Sequence, residues 1–185
     1  MSETVTAKKN DSGMAKLTIT LFAICAVCSL ILGLVNMITT DPIAAVQKAK
    51  NDAAMAEVLS ADSYEPVEYT GDDATIKSIN KAAGDIGYVV EVSPSGSFSG
   101  ILTIMVGVNA DNTVSGVAIT KSGETSGLGD NAKKPAFRDQ FAGVSGEVKV
   151  AKDGGQIQAI TGATITSRAV SAGVTSALAA VAALG

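Results

Sequence analysis

The chain has 185 residues, 46% of them apolar, only 4% aromatic and none histidine, with a formal net charge of −4. Without histidine there is no Ser-His-Asp triad and no imidazole metal ligand. The acidic balance argues against a nucleic-acid partner, because phosphate backbones are bound by clustered Lys and Arg.

The first element is an apolar run, LTITLFAICAVCSLILGLVNMI, at 17–38, which contains no charged residue. A hydrocarbon core of ~30 Å needs about 20 such residues in a helix, so the run is long enough to cross. It exceeds the apolar core of a cleaved signal peptide, and no small-residue cleavage site follows directly. The expectation is an uncleaved anchor. Lys8, Lys9 and Lys16 precede the run and Asp41 is the first charge after it. The positive-inside rule then puts the N-terminus in the cytoplasm and the bulk of the chain on the periplasmic or extracellular side of the cell membrane. Cys25 and Cys28 are the only cysteines. Their i, i+3 spacing puts them on one helix face, where small, weakly polar residues suit lipid or a partner helix.

Beyond the anchor, Asp41-Pro42 followed by IAAVQKAKNDAAMAEVLS reads as a stalk helix, with Asp41 as its N-cap and Pro42 in its first turn. The segment at 70–85 is polar, and within GYVVEV a strand is expected at Tyr88–Val92. SPSGSFSG at 93–100 is a Gly/Ser turn. ILTIMVGVNADNTVSGVAIT reads as a hairpin turning at Asp111-Asn112. A Gly-rich loop follows, then a short helix from Phe137 to Phe141, then a strand in GEVKVAK. Ile165, Val170, Val174, Leu178 and Val181 recur at helical spacing and give a terminal amphipathic helix. The expected organisation is α+β: a cytoplasmic tail (1–16), an anchor (17–39), a helical stalk (40–60), and a small domain (61–185). That domain would hold an antiparallel or mixed sheet and end in the amphipathic helix.

Two loops carry candidate chemistry. AITGATITSRAV, at 159–170, crowds Thr161, Thr164, Thr166 and Ser167 around Gly162 and Ala163 at the start of the last helix. A helix start favours an anion, and the small residues let a ligand approach the backbone. The plainer account is that Thr161 or Thr164 caps the helix. The second loop, GETSGLG at 123–129, lacks both GxxxxGK[ST] and GxGxxG, and by itself could be a simple connection between strands.

Together the two loops resemble a known family. TGAT at 161–164 looks like the [ST]GAT signature of the FMN-binding domain of RnfG and NqrC subunits, and GETSGLG resembles that domain's ETPGLG loop, with Ser126 where proline is usual. The likeness runs in order through the stalk, GYVVEV, the hairpin and both loops, behind a single anchor. It implies an electron-transfer protein with one covalent FMN, joined through its phosphate to a threonine by a flavin transferase. By position, Thr164 would carry the ester, while Thr161, Gly162 and Ala163 would shape the turn. Thr166 and Ser167 would lie near the phosphate, and Glu124, Thr125, Gly127 and Leu128 would border the flavin ring. The family usually has an acidic residue where this chain has Gln158.

The chain length, the stalk and GETSGLG are nearer to RnfG than to NqrC. The resemblance then implies partner subunits in a membrane Rnf complex, which couples ferredoxin:NAD⁺ oxidoreduction to Na⁺ or H⁺ translocation. It implies no catalytic residue and no metal in this chain itself. Two readings of other classes stand beside it: an anchored binding or sensor domain without flavin, and a hydrolase using one of the hydroxyls, for which no base is evident.

Overall fold

The computed structural model describes residues 11–184, so residues 1–10 of the expected cytoplasmic tail lie outside the described residues. The chain divides into two compact units, one ending at Lys48 and the other beginning at Ala49.

The first unit is helical. Helix α1 is Asp11–Val58, and it contains a stretch long and apolar enough to cross a membrane. Pro42 lies inside α1 instead of opening a second helix. The expected N-cap at Asp41 is therefore corrected: the preceding turns stay helical and leave Asp41 no free helix start to cap. A proline there removes one backbone donor. The turn before it is reinforced by hydroxyls, with Thr39 Oγ1 donating to the Val35 carbonyl at 2.8 Å and Thr40 Oγ1 to that of Asn36 at 2.6 Å.

The second unit is built on a five-stranded antiparallel meander in the order β1-β2-β3-β4-β5. The strands are β1 Tyr64–Val67, β2 Ile76–Ala82, β3 Gly87–Val92, β4 Leu102–Asn109 and β5 Val114–Ser122. Strands β3 to β5 match the sequence expectation. The β4–β5 turn falls at Asp111-Asn112, where the Asp111 carboxylate accepts from the Thr113 N–H at 3.1 Å and hydroxyl at 2.6 Å. Strands β1 and β2 were not expected, because IKSINKA offers few apolar residues to mark a period.

The sheet is covered on both faces, and side chains alternate between them along each strand. Val90, Val92, Ile104, Val106 and Val108 join one core with Val170, Val174, Ala177 and Leu178 of helix α3, Thr164–Ala182. Val89, Met105 and Ala118 point the other way and pack with Ala54, Val58 and Leu59 at the end of α1. Full burial of each such side chain stabilises the fold by about 1.5–3 kcal/mol. The second face needs a close approach. A Cβ at Gly107 would sit 2.4 Å from the Val58 carbonyl oxygen, which itself accepts from Ser115 Oγ at 2.6 Å.

The short helix expected near Phe137 is present as α2, Pro135–Arg138, continued by a 3-10 turn to Phe141. Phe137 and Phe141 are buried and meet edge to face at 5.4 Å. The strand expected in GEVKVAK does not form. Val148 and Val150 are buried in alternation, as a strand would have them, but the backbone groups of Val148 go to a side chain of α3 and those of the next three residues to the turn that follows. Thr175 Oγ1 accepts from the Val148 N–H at 2.9 Å and donates to its carbonyl at 3.3 Å. Only a parallel bridge between Val150 and Ile157 remains, followed by a 3-10 turn at Ala151–Asp153.

Candidate functional site

A cleft of about 390 Å³ lies between the Gly-rich loop and the start of α3, within the size range of ligand sites. Of the residues singled out in the sequence, Glu124, Thr125, Leu128, Gly162, Ala163, Thr164 and Thr166 line it. Thr161, Gly127 and Ser167 do not. Thr161 opens onto a separate groove beside Gln158 and Gln140. Gly127 is exposed at the tip of its loop, where its carbonyl accepts from Asn131 Nδ2 at 2.7 Å. Ser167 is fully buried.

The start of α3 does not follow the capping account. Its N-cap is Ala163, and among the described residues no side chain caps it. Thr161 therefore does not cap the helix, and Thr164 is its first residue. An uncapped helix start keeps unpaired donors and a partial positive charge. Ahead of it, Gly162 adopts φ +77°, and a Cβ there would stand 3.1 Å from Leu128 Cδ2. Glycine thus serves both the left-handed turn and the packing of the two loops.

The four hydroxyls of the motif have different fates. Ser167 Oγ donates to the Ala163 carbonyl at 2.9 Å and accepts from the Ile160 N–H at 3.0 Å, bracing the turn from inside. Thr166 Oγ1 donates to Glu124 Oε2 at 2.5 Å. Thr161 lies outside the cleft. Thr164 is half-buried in the cleft wall, and its Oγ1 accepts from Lys152 Nζ at 3.3 Å.

Glu124 anchors the opposite wall. It is only 8% exposed, and its Oε1 accepts from the Ser99 N–H at 3.1 Å and hydroxyl at 2.9 Å. Burial pushes its carboxyl up, but hydrogen bonds from Thr166, Ser99 and the Phe98 N–H outweigh that and hold it below its ordinary value. Gly129 allows this packing, because a Cβ there would lie 2.6 Å from both Glu124 Oε2 and Thr166 Oγ1. Glu124 thus ties three segments together.

Four further residues line the cleft: Phe98, Gly129, Lys152 and Ile165. Ile165, expected in the apolar stripe of α3, is instead 50% exposed at the cleft. It lies in the first turn of the helix, whose next two residues, Thr166 and Ser167, are buried. Phe98 stands out in the sequence only as the lone aromatic of a Gly/Ser turn. Lys152 has no local signal at all, since a chain fold of 12 residues brings it to Thr164.

Comparison with known proteins agrees with both halves of the chain. The sequence pattern of the FMN-binding domain matches residues 97–179, and that of the RnfG N-terminal region matches residues 6–58. The G subunit of the Na⁺-translocating ferredoxin:NAD⁺ oxidoreductase complex of Acetobacterium woodii is 35% identical, over 86% of this chain and 87% of that one. The G subunit of the proton-translocating ferredoxin:NAD⁺ oxidoreductase complex of Clostridium ljungdahlii is 35% identical, over 90% of each chain. Its counterpart in the ion-translocating oxidoreductase complex of Methanosarcina acetivorans is 32% identical, over 85% of this chain and 88% of that one. Among solved structures, the NqrC-type component of the Na⁺-translocating NADH-quinone reductase of Parabacteroides distasonis is 20% identical with a TM-score of 0.47, over 71% of this chain and 80% of that one. With near full-length relatives that are all G subunits, and an N-terminal region of RnfG type, the chain belongs to the RnfG family, the G subunits of ion-translocating oxidoreductase complexes.

Proposed function

We propose that this chain is the FMN-carrying electron-transfer component of a membrane complex that couples ferredoxin:NAD⁺ oxidoreduction to ion translocation, with one FMN esterified through its phosphate to Thr164. The observation that carries the attachment point is the fate of the four hydroxyls. Thr166 and Ser167 are committed to Glu124 and to the turn, and Thr161 faces another groove. Thr164 alone combines a place in the cleft, partial exposure and a neighbouring ammonium. The residues suit a phosphate: an uncapped helix start, Lys152, and a glycine turn that leaves the backbone approachable.

When bound, FMN supplies the ability to pass electrons singly or in pairs, and the protein's contribution is to hold and tune it. The first turn of α3 and Lys152 would balance the phosphate charge. Phe98, Leu128 and Ile165 would give the cleft its apolar surface. Glu124 would keep the two loops in register without touching the redox chemistry. The chain has no catalytic residue of its own and works as a relay between partner subunits. Its apolar run at 17–38 contains no ionisable carboxylate or base, so the ion path belongs to those partners. The positive flank at Lys8, Lys9 and Lys16 supports a cytoplasmic N-terminus and a flavin domain on the outer side.

Expression with a flavin transferase tests the attachment. The denatured wild-type band fluoresces under ultraviolet light, and Thr164→Val stays dark. A dark wild-type band under those conditions would instead favour an anchored binding domain without covalent flavin. Protease added to spheroplasts cuts the chain beyond residue 40; full protection would reverse the topology.

A further inference from the structure

The loop that carries Lys152 is pinned to the helix that carries Thr164. Arg168 stands one turn beyond Thr164 on α3, and its guanidinium grips Asp153 with Nε to Oδ2 at 2.6 Å and Nη2 to Oδ1 at 2.7 Å. Both oxygens of Asp153 are thereby engaged, and the guanidinium holds its carboxyl below the usual range. The 3-10 turn is closed on itself by the Asp153 N–H to the Val150 carbonyl at 2.8 Å and by Gly154 at φ +83°. Lys152, next in the chain to Asp153, is left to point at Thr164. Among the described residues, no carboxylate forms an ion pair with it. The ammonium of Lys152 and the uncapped start of α3 thus stand side by side around Thr164, and both favour an anion there.

We propose that Lys152 is a positioning residue for the modification of Thr164: it compensates the phosphoryl charge as the ester forms and stays paired with the phosphodiester afterwards, its own place set by the Asp153–Arg168 pair. This rests on the reading that Thr164 carries the flavin phosphate. The chemistry is a phosphoryl transfer without net redox change. A bond forms between Thr164 Oγ and phosphorus, and the phosphoanhydride P–O bond of the donor breaks. The leaving nucleotide phosphate keeps that electron pair, and the hydroxyl proton passes to solvent or to a base of the transferase. A flavin mononucleotide has no such anhydride, so the donor class is a flavin dinucleotide.

Negative charge spreads over the non-bridging oxygens in the transition state, and a fixed cation there lowers the barrier. An ammonium is a donor only. Its bond to Thr164 Oγ1 therefore leaves the hydroxyl proton directed elsewhere and available for removal.

The test uses the full-length chain, purified in detergent after expression without transferase. It is incubated with flavin transferase and flavin adenine dinucleotide, and attachment is followed by intact mass and in-gel fluorescence. Lys152→Met and Lys152→Gln are each expected to slow attachment about tenfold or more, on the scale of losing one exposed charge-stabilising donor. Lys152→Arg is expected to stay within about threefold of wild type, because a guanidinium also pairs with phosphate. Arg168→Gln is expected to slow attachment a few-fold, with Lys152 still present but unpinned. Thermal unfolding midpoints of the Lys152 variants should match wild type, since the side chain is exposed.

Wild-type modification at Thr164 with unchanged rates in Lys152→Met and Lys152→Gln overturns the inference while leaving the attachment intact. Equal slowing in Lys152→Arg also overturns it, because shape and not charge would then matter. An unchanged rate in Arg168→Gln overturns the pinning role. Label arriving elsewhere than Thr164, or persisting in Thr164→Val, overturns the reading beneath it.

Discussion

The two walls of the cleft use similar side chains to opposite ends. On one wall, Glu124, Ser99 and Thr166 direct their hydrogen bonds at one another. On the other, Thr164, Lys152 and the first turn of α3 keep donors and a hydroxyl facing the cleft. Thr164 and Thr166 are only two residues apart, yet the helix turns one towards the site and the other into the fold. In a hydroxyl-rich motif, the residue available for chemistry is therefore the one that the surrounding loops leave uncommitted.

That contrast predicts a crossover between two neighbouring threonines. Thr164→Val should abolish covalent flavin, read as in-gel fluorescence, and change stability by no more than about 0.5 kcal/mol, as surface substitutions do. Thr166→Val should keep the flavin and destabilise the domain by about 1.5–3 kcal/mol, because it removes a hydrogen bond to a buried carboxylate. In thermal unfolding that corresponds to a fall of roughly 5–10 °C. If Thr166→Val lost the flavin and Thr164→Val kept it, the roles of the two walls would be exchanged.

Smaller effects sharpen the same comparison. Gly129→Ala forces a Cβ against Glu124 and Thr166, and should cost about 1–3 kcal/mol through that single clash. In the double variant with Thr166→Val the two losses should fall short of additive, since both act on one contact. Acid should also act through Glu124. Its pKa in the fold lies below its ordinary value of 4.5. The stability it contributes is therefore complete above that value and fades as pH falls through the folded one. Glu124→Gln should flatten the acid limb of a plot of unfolding midpoint against pH. An acid limb that is unchanged in the variant would remove Glu124 from the account.

The smallest effect is expected at Gln158. Its backbone N–H is held by Gln140 Oε1 at 2.7 Å, whereas the residue itself is exposed. Gln158→Glu should move stability by less than about 0.5 kcal/mol. Any change that it makes would then be read as a change in the rate of flavin attachment.

How much of this was legible in the sequence differs by region for physical reasons. Strands β3 to β5 are covered on both faces and read as apolar, β-branched runs, while helix α3 buries one face at helical spacing, so both stand out in the sequence. Strand β1 is a four-residue edge strand, too short to show a period, and in β2 beside it Lys77, Asn80 and Lys81 hide the alternation. In GEVKVAK, the alternation of Val148 and Val150 was real but reported burial against α3, not pairing in a sheet.

The site divides in the same way. Thr164 and the Gly-rich loop were visible because each is a contiguous motif. Thr161, Gly127 and Ser167 belong to those motifs but not to the cleft wall, since motif membership fixes chain position and not direction. Lys152 and Phe98 reach the cleft only through tertiary contacts, the Asp153–Arg168 pair and the Ser99–Glu124 bonds. No spacing rule announces contacts of that kind.

Mass spectrometry of the peptide covering residues 153–168, from protein made with a flavin transferase, tests the central claim most directly. The account predicts one added flavin mononucleotide phosphoryl mass, with fragment ions confining it to Thr164. An unmodified peptide, or the added mass on Thr161, Thr166 or Ser167, would contradict it.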